Sequence, residues 1–181
     1  MRNKFIAWKE VSSNNLSQSH YNTFFRVSDS MISLANMALD YIGRSTYDNL
    51  TSTGSKSIVL CHQDYGKGNA ILAGDKIIVL DLDGVTFDLP VRDLRKLIGK
   101  EAENMGKWVL QNIDNVYNIY TTVNPLSSEE KRILYIDLLY PHWFYGLVKN
   151  LFQNNKLIKS SEIERMARLE ESKVSLLKSL L

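Results

Sequence analysis

The sequence predicts an α+β chain, mostly helical, with a small β-hairpin at its centre. Two observations carry that class. Apolar residues recur at helical spacing over residues 21–42 and again through most of the chain after Pro90. Between those stretches, short apolar runs bounded by Gly, Ser, Asn and Asp have the length of strands, and "AGD" separates two of them as a hairpin turn does.

In chain order, the first helix is expected over 21–42, where Phe24, Val27, Met31, Leu34, Ala38 and Ile42 share a face. The following "STYDNLTSTGSKS" reads as a loop because Ser, Thr, Asn and Gly dominate it. Residues 58–61 read as a strand, and 70–72 with 76–80 as the hairpin. After Pro90 helices are expected over 92–103, 106–122, 127 to about 152, and 160–181. Ser127 with Glu130, and Ser161 with Glu164, have the spacing of capping boxes, in which each side chain satisfies the other residue's backbone N–H. In "YPHWFYGLVKNLF", Trp143, Leu147 and Leu151 recur at helical spacing beside Phe144 and Val148, so the stretch reads as core and His142 as structural. The last helix carries an apolar stripe through Ile163, Met166, Leu169, Val174 and Leu177.

A chain of 181 residues, 44% hydrophobic, can bury one sizeable core. No repeat, low-complexity tract or Pro/Gly linker divides it, so it is read as one unit: 1–57 as leading helix and loop, 58–90 as the central β segment, 91–181 as a helical subdomain. Its 22 Lys+Arg against 20 Asp+Glu leave a net charge of +2, which does not predict a nucleic-acid surface. Cys61 is the lone cysteine, so no internal disulfide can form and a reducing, intracellular setting is expected. No apolar stretch reaches the roughly 18–20 residues of a membrane span, and the start lacks the apolar core of a signal peptide, so no membrane partner is expected.

The chemistry concentrates in "CHQDYGKGNAIL" and "IIVLDLDGVTFD". The second stretch alone could be the nucleophile strand of a haloacid-dehalogenase-type phosphatase, with Asp81 attacking phosphorus and Asp83 as acid/base. That reading needs later strands carrying a Lys and an acidic pair, and the remainder reads as helical. The first stretch supplies the alternative. His62-x-Asp64, with Asn69 five residues beyond the Asp and Asp81 twelve further on, has the kinase catalytic-loop spacing followed by a metal strand. Asp64 is then the base that accepts a hydroxyl proton. Asn69 and Asp81 are oxygen ligands for Mg²⁺, and a hairpin between them returns both to one end of a ribbon. His62 reads as support under the loop, bonded to backbone carbonyls. Gly66 and Gly68 suit a tightly curved loop.

"HQDYGKGN", "VLDLD" and "DLPVRDLRKLI" together resemble the aminoglycoside phosphotransferase and choline kinase superfamily, most closely its CotS-type spore coat kinase-like branch. The resemblance runs from about Ile58 to Ile98 at motif level. It implies a protein-kinase-like C-lobe, an ATP- and Mg²⁺-dependent phosphotransferase acting on a hydroxyl of a small molecule or glycan, and a place in the spore coat of an endospore-forming bacterium. It also makes Asp83 the common second acid, and Asp93 a buttress of the catalytic loop that does not react. Two departures stand out. Gly66 takes the place two residues after Asp64 where protein kinases carry Lys, with Lys67 one place later. No Gly-rich loop or strand-borne Lys precedes Asp64, so the chain is expected to be a C-lobe without its nucleotide-clamping lobe, and by itself to turn over little ATP. A non-catalytic pseudokinase or coat assembly module is the alternative, and nucleotide-binding residues stay unassigned.

Overall fold

A computed structural model describes residues 1–66 and 68–181; Lys67 lies outside the described residues. The chain is mostly helical and divides into two compact units, Ile42–Asp137 and the pair of segments Met1–Tyr41 and Leu138–Leu181. No helix among the described residues is long and apolar enough to cross a membrane.

The unit made of the two chain ends is helical. Helix α1 (Arg2–Ser13) precedes the expected first helix, α2 (Ser19–Gly43). Its core is aromatic: Trp8 stacks on Phe152 at 5.0 Å and on Tyr145 at 5.5 Å, and Phe24 stacks on Phe144 at 5.9 Å. Phe144, Val148 and Leu151 are the buried stripe of α7 (His142–Gln153), as their spacing requires. The long helix expected from 127 to about 152 is broken at Pro141, which stands at the N-cap of α7, because proline has no N–H to donate and disfavours helix at the residue before it. Helix α8 (Ser160–Ser172) and the short α9 (Val174–Lys178) replace the single last helix. The Ser161–Glu164 capping box does not form; Glu164 instead accepts from Arg26 at 2.8 Å.

The central unit holds the β structure. A short helix, α3 (Tyr47–Leu50), interrupts the expected loop. Strand β1 (Val59–Cys61) pairs antiparallel with β4 (Thr86–Asp88), a strand of three residues too short to show a period, with Val59 opposite Asp88. Strands β2 (Ala70–Ala73) and β3 (Lys76–Val79) form the expected hairpin, with Ala73 opposite Lys76. The turn is Gly74-Asp75, and Gly74 at φ 63° supplies the left-handed backbone that a two-residue hairpin loop needs. Ile71, Leu72, Ile77 and Ile78 are all exposed on this ribbon.

Helices α4 (Val91–Met105), α5 (Leu110–Thr121) and α6 (Ser128–Leu139) follow. Leu94, Ile98, Ile113, Ile133 and Leu134 are buried along them. Gly106 ends α4 rather than opening the next helix: at φ 67° its N–H reaches Glu103 O, and the Lys107 N–H reaches Ala102 O at 3.1 Å, a glycine C-terminal cap. The Ser127–Glu130 capping box is complete, with the Ser127 N–H donating to Glu130 Oε2 at 2.8 Å and the Glu130 N–H to Ser127 Oγ at 3.2 Å. Arg95 donates to both carboxylate oxygens of Asp137, at 3.1 and 2.9 Å, and so ties α4 to the end of α6.

Candidate functional site

The chain leaves β1 through a sharp turn before β2, and His62, Asp64 and Asn69, the polar groups of that turn that the sequence singled out and the structure describes, are each held by a named partner. Gln63 sits at φ 72°, in left-handed backbone that a non-glycine residue adopts at a cost of roughly 1–3 kcal/mol. Asp93, in the first turn of α4, holds it there: Oδ2 accepts the His62 N–H at 2.8 Å and Oδ1 the Gln63 N–H at 2.7 Å. Both are hydrogen bonds to an ionised acceptor, the stronger class. Asp93 is therefore more than a residue at a helix start; it anchors the loop.

His62 is buried under the same turn. Its Nε2 lies 2.8 Å from the Leu80 carbonyl oxygen. A carbonyl only accepts, so Nε2 carries the hydrogen, and Nδ1 is left to accept the Asp64 N–H at 3.3 Å. One imidazole thus joins the end of β3 to the residue that carries the candidate base.

Asn69 closes the turn. Its N–H donates to Gly66 O at 3.0 Å, and its side-chain amide donates to the Asp64 carbonyl at 3.0 Å, with Asp64 Oδ2 at 3.4 Å. Its own carbonyl accepts from Leu80 N at 2.8 Å, which extends the hairpin ladder by one pair and puts Asp81 immediately after Asn69's partner. Asp81 leaves the strand at φ 57° and ψ 63°, a second left-handed non-glycine residue, and a single 3-10 turn (Leu82–Gly84) follows. Asp81 and Asp83 are exposed and have no hydrogen-bond or ion-pair partner among the described residues. Gly84 brings that turn against the loop, where a β-carbon on it would stand 3.5 Å from the His62 carbonyl oxygen. Asp88 belongs elsewhere: it accepts from the Leu89 N–H at 2.8 Å and from Arg92 at 2.7 Å at the approach to α4.

Sequence reasoning missed Lys96. Its Nζ lies 2.5 Å from Asp64 Oδ1, so one oxygen of the candidate base faces an ammonium and the other the Asn69 amide. The signal was available, because Lys96 falls three residues after Asp93 on one helix and such residues share a face. Lys67, the cation that the sequence does place near Asp64, lies outside the described residues.

Cys61, at the head of the loop, is 2% exposed and its thiol donates to the Asp88 carbonyl at 3.3 Å. Burial, with the negative charges of Asp93 and Asp88 adding to it, pushes the thiol up to about 11 from an ordinary 9.0. The thiol is thus an inert packing group, not a nucleophile. A group raised on folding contributes its stability below its unfolded value, so stability should fall as pH rises from about 9 towards 11. Urea denaturation across that interval checks this, and a Cys61→Ala protein should lose that part of the slope.

Among the described residues no three His, Cys, Asp or Glu side chains cluster as a metal cage. Magnesium does not ask for one, since it takes one or two protein carboxylates and completes its shell with water and phosphate oxygens.

A family model described as Spore coat putative kinase YutH matches residues 5–179. Spore coat protein S of Bacillus subtilis (strain 168) is 28% identical over 163 residues, covering 87% of this chain and 46% of that protein. The chain therefore spans about half the length of that relative.

Proposed function

Because the chain belongs to the spore coat putative kinase YutH family, we propose that its loop and hairpin are the acceptor and metal side of an ATP- and Mg²⁺-dependent phosphotransferase acting on a hydroxyl group, in association with the spore coat. The observation that carries this reading is the joint placement of Asp64, Asn69 and Asp81. The Asn69 amide is bonded to Asp64, and Asp81 follows the residue paired with Asn69.

The donor chemistry fits a hard cation. With its side-chain nitrogen committed to Asp64, Asn69 has its side-chain oxygen Oδ1 left for a cation, and the Asp81 carboxylate is exposed beside the same ladder end. ATP with Mg²⁺, when bound, supplies the phosphoryl group and the charge neutralisation that its transfer requires. Asp64 orients the acceptor hydroxyl and takes its proton on the carboxylate as the oxygen turns to phosphorus. Asp93 and His62 keep Asp64 in place through the loop backbone. Sugar, small-alcohol and glycan acceptors share this chemistry, and membership of a spore coat family favours a substrate or partner of the coat.

Asp81→Asn should weaken Mg²⁺-dependent ATP binding at least roughly tenfold, the lower bound for disturbing even the outer partners of a metal ligand. Asp64→Asn should leave that binding in place and lower transfer roughly 100-fold or more. Calorimetric titration with and without Mg²⁺, followed by ATP-consumption assays over a panel of hydroxyl acceptors on a version extended upstream by a nucleotide-clamping lobe, measures both. If ATP binding is absent, or if it ignores Mg²⁺ and Asp81, the reading falls and a non-catalytic coat assembly module replaces it.

A further inference from the structure

Stability alone does not account for the pairing of Lys96 with Asp64. Its side chain and that of Asp64 are 48% and 53% exposed, and an ion pair so solvated contributes at most about 1 kcal/mol. The loop is already tied to α4 one turn earlier, by Asp93. The neighbouring cations of the helix have other partners: Arg92 pairs with Asp88, Arg95 with Asp137 and Lys100 with Glu103. Lys96 alone among these four meets the candidate base.

We infer that Lys96 is the phosphate-contacting cation of this site, pairing with Asp64 at rest and receiving the terminal phosphoryl oxygens of a bound nucleoside triphosphate. The inference rests on the phosphotransferase reading above. A base must lie within about 2.6–3.2 Å of the hydroxyl it serves, and in a near-attack arrangement phosphorus lies about 3–3.5 Å beyond that oxygen. An ammonium bonded to the same carboxylate, on a flexible four-carbon stem, is therefore within a side-chain rotation of the transferred group. There it would meet the charge that phosphoryl transfer spreads over the equatorial oxygens. Gly66 carries no side chain to do this from the loop.

The test is an equilibrium titration of backbone amide NMR shifts, sensitive to millimolar affinity, using Mg²⁺·ADP and the Mg²⁺ complex of an ATP analogue with a non-hydrolysable β–γ link. Wild type should bind the analogue more tightly than ADP, with shifts at the amides of Asp64, Asn69 and Asp81. Lys96→Met should weaken the analogue about tenfold, the loss of one charge-assisted contact, and leave ADP unchanged. Lys96→Arg should restore most of the preference, and Lys100→Met, which removes a cation one turn further along, should change neither ligand. A wild type with no preference, or a Lys96→Met protein that loses both ligands or neither, overturns the role of Lys96 while leaving the phosphotransferase reading standing. A wild type that binds neither nucleotide removes that reading and the inference together.

Discussion

Replacing Glu170 with alanine is expected to destabilise the protein by about 3–5 kcal/mol, the range for breaking one side of a buried ion pair. Glu170 and Lys173 are both 0% exposed and bonded to each other. The carboxylate also accepts the Trp143 N–H at 2.8 Å and the Phe144 N–H at 3.0 Å. Those are first-turn donors of α7, whose N-cap residue Pro141 offers no side-chain cap. Lys173 in turn donates to the Tyr140 carbonyl at 2.9 Å, across the break between α6 and α7. Alanine at 170 would strip two helix donors and leave the Lys173 ammonium buried without the carboxylate. Lys173→Met combined with Glu170→Gln should recover part of the loss, because no net charge stays buried and the Gln oxygen still accepts. Urea denaturation with unchanged m-values measures this series. A Glu170→Ala protein within about 1 kcal/mol of wild type would show that the pair does not hold the α7–α8 corner.

The second large effect is expected at Asp93. Asp93→Ala removes two charge-assisted hydrogen bonds to partly buried N–H groups, a loss of about 3 kcal/mol. The consequence is local as well as global. Gln63 is held at φ 72° by that carboxylate, so without it the turn should relax toward ordinary backbone and carry Asp64 away from Asn69. Hydrogen exchange at the His62 and Gln63 amides should accelerate by more than the global loss of stability explains, and under the proposed phosphotransferase function Mg²⁺-dependent ATP binding should weaken with it. Asp93→Asn, which keeps one accepting oxygen, should fall between. If His62 and Gln63 exchange as in wild type in the alanine variant, Asp93 serves its own helix and not the loop.

Much of the site was legible because its spacing is local. His62, Asp64 and Asn69 lie within eight residues, and a two-residue turn at Gly74 brings the chain back to Asp81, so the order of residues nearly dictates their neighbourhood. The same locality made the Ser127–Glu130 box readable, since both partners belong to one turn. Two local signals lost to periodicity. Gly106 reads by periodicity as the start of the second of two helices, although its left-handed backbone caps the first, and the apolar repeat runs on through Pro141, where the missing N–H breaks the helix.

What the sequence determined by itself is the set of groups and their local geometry: the α+β class, the hairpin, and the loop carrying a carboxylate, an amide and a second carboxylate at fixed intervals. Turn stereochemistry and strand period act over a few residues and leave such patterns little freedom. Tertiary structure decided which distant groups complete them. Strand β1 finds β4 across the whole loop and hairpin that separate them, Glu164 abandons its own helix start for Arg26, and α4 delivers Asp93 to the loop backbone and Lys96 to Asp64. A carboxylate or ammonium has several partners of nearly equal worth along the chain. Only the packing of buried residues such as Leu94 and Ile98, which sets where α4 lies, selects the one it meets.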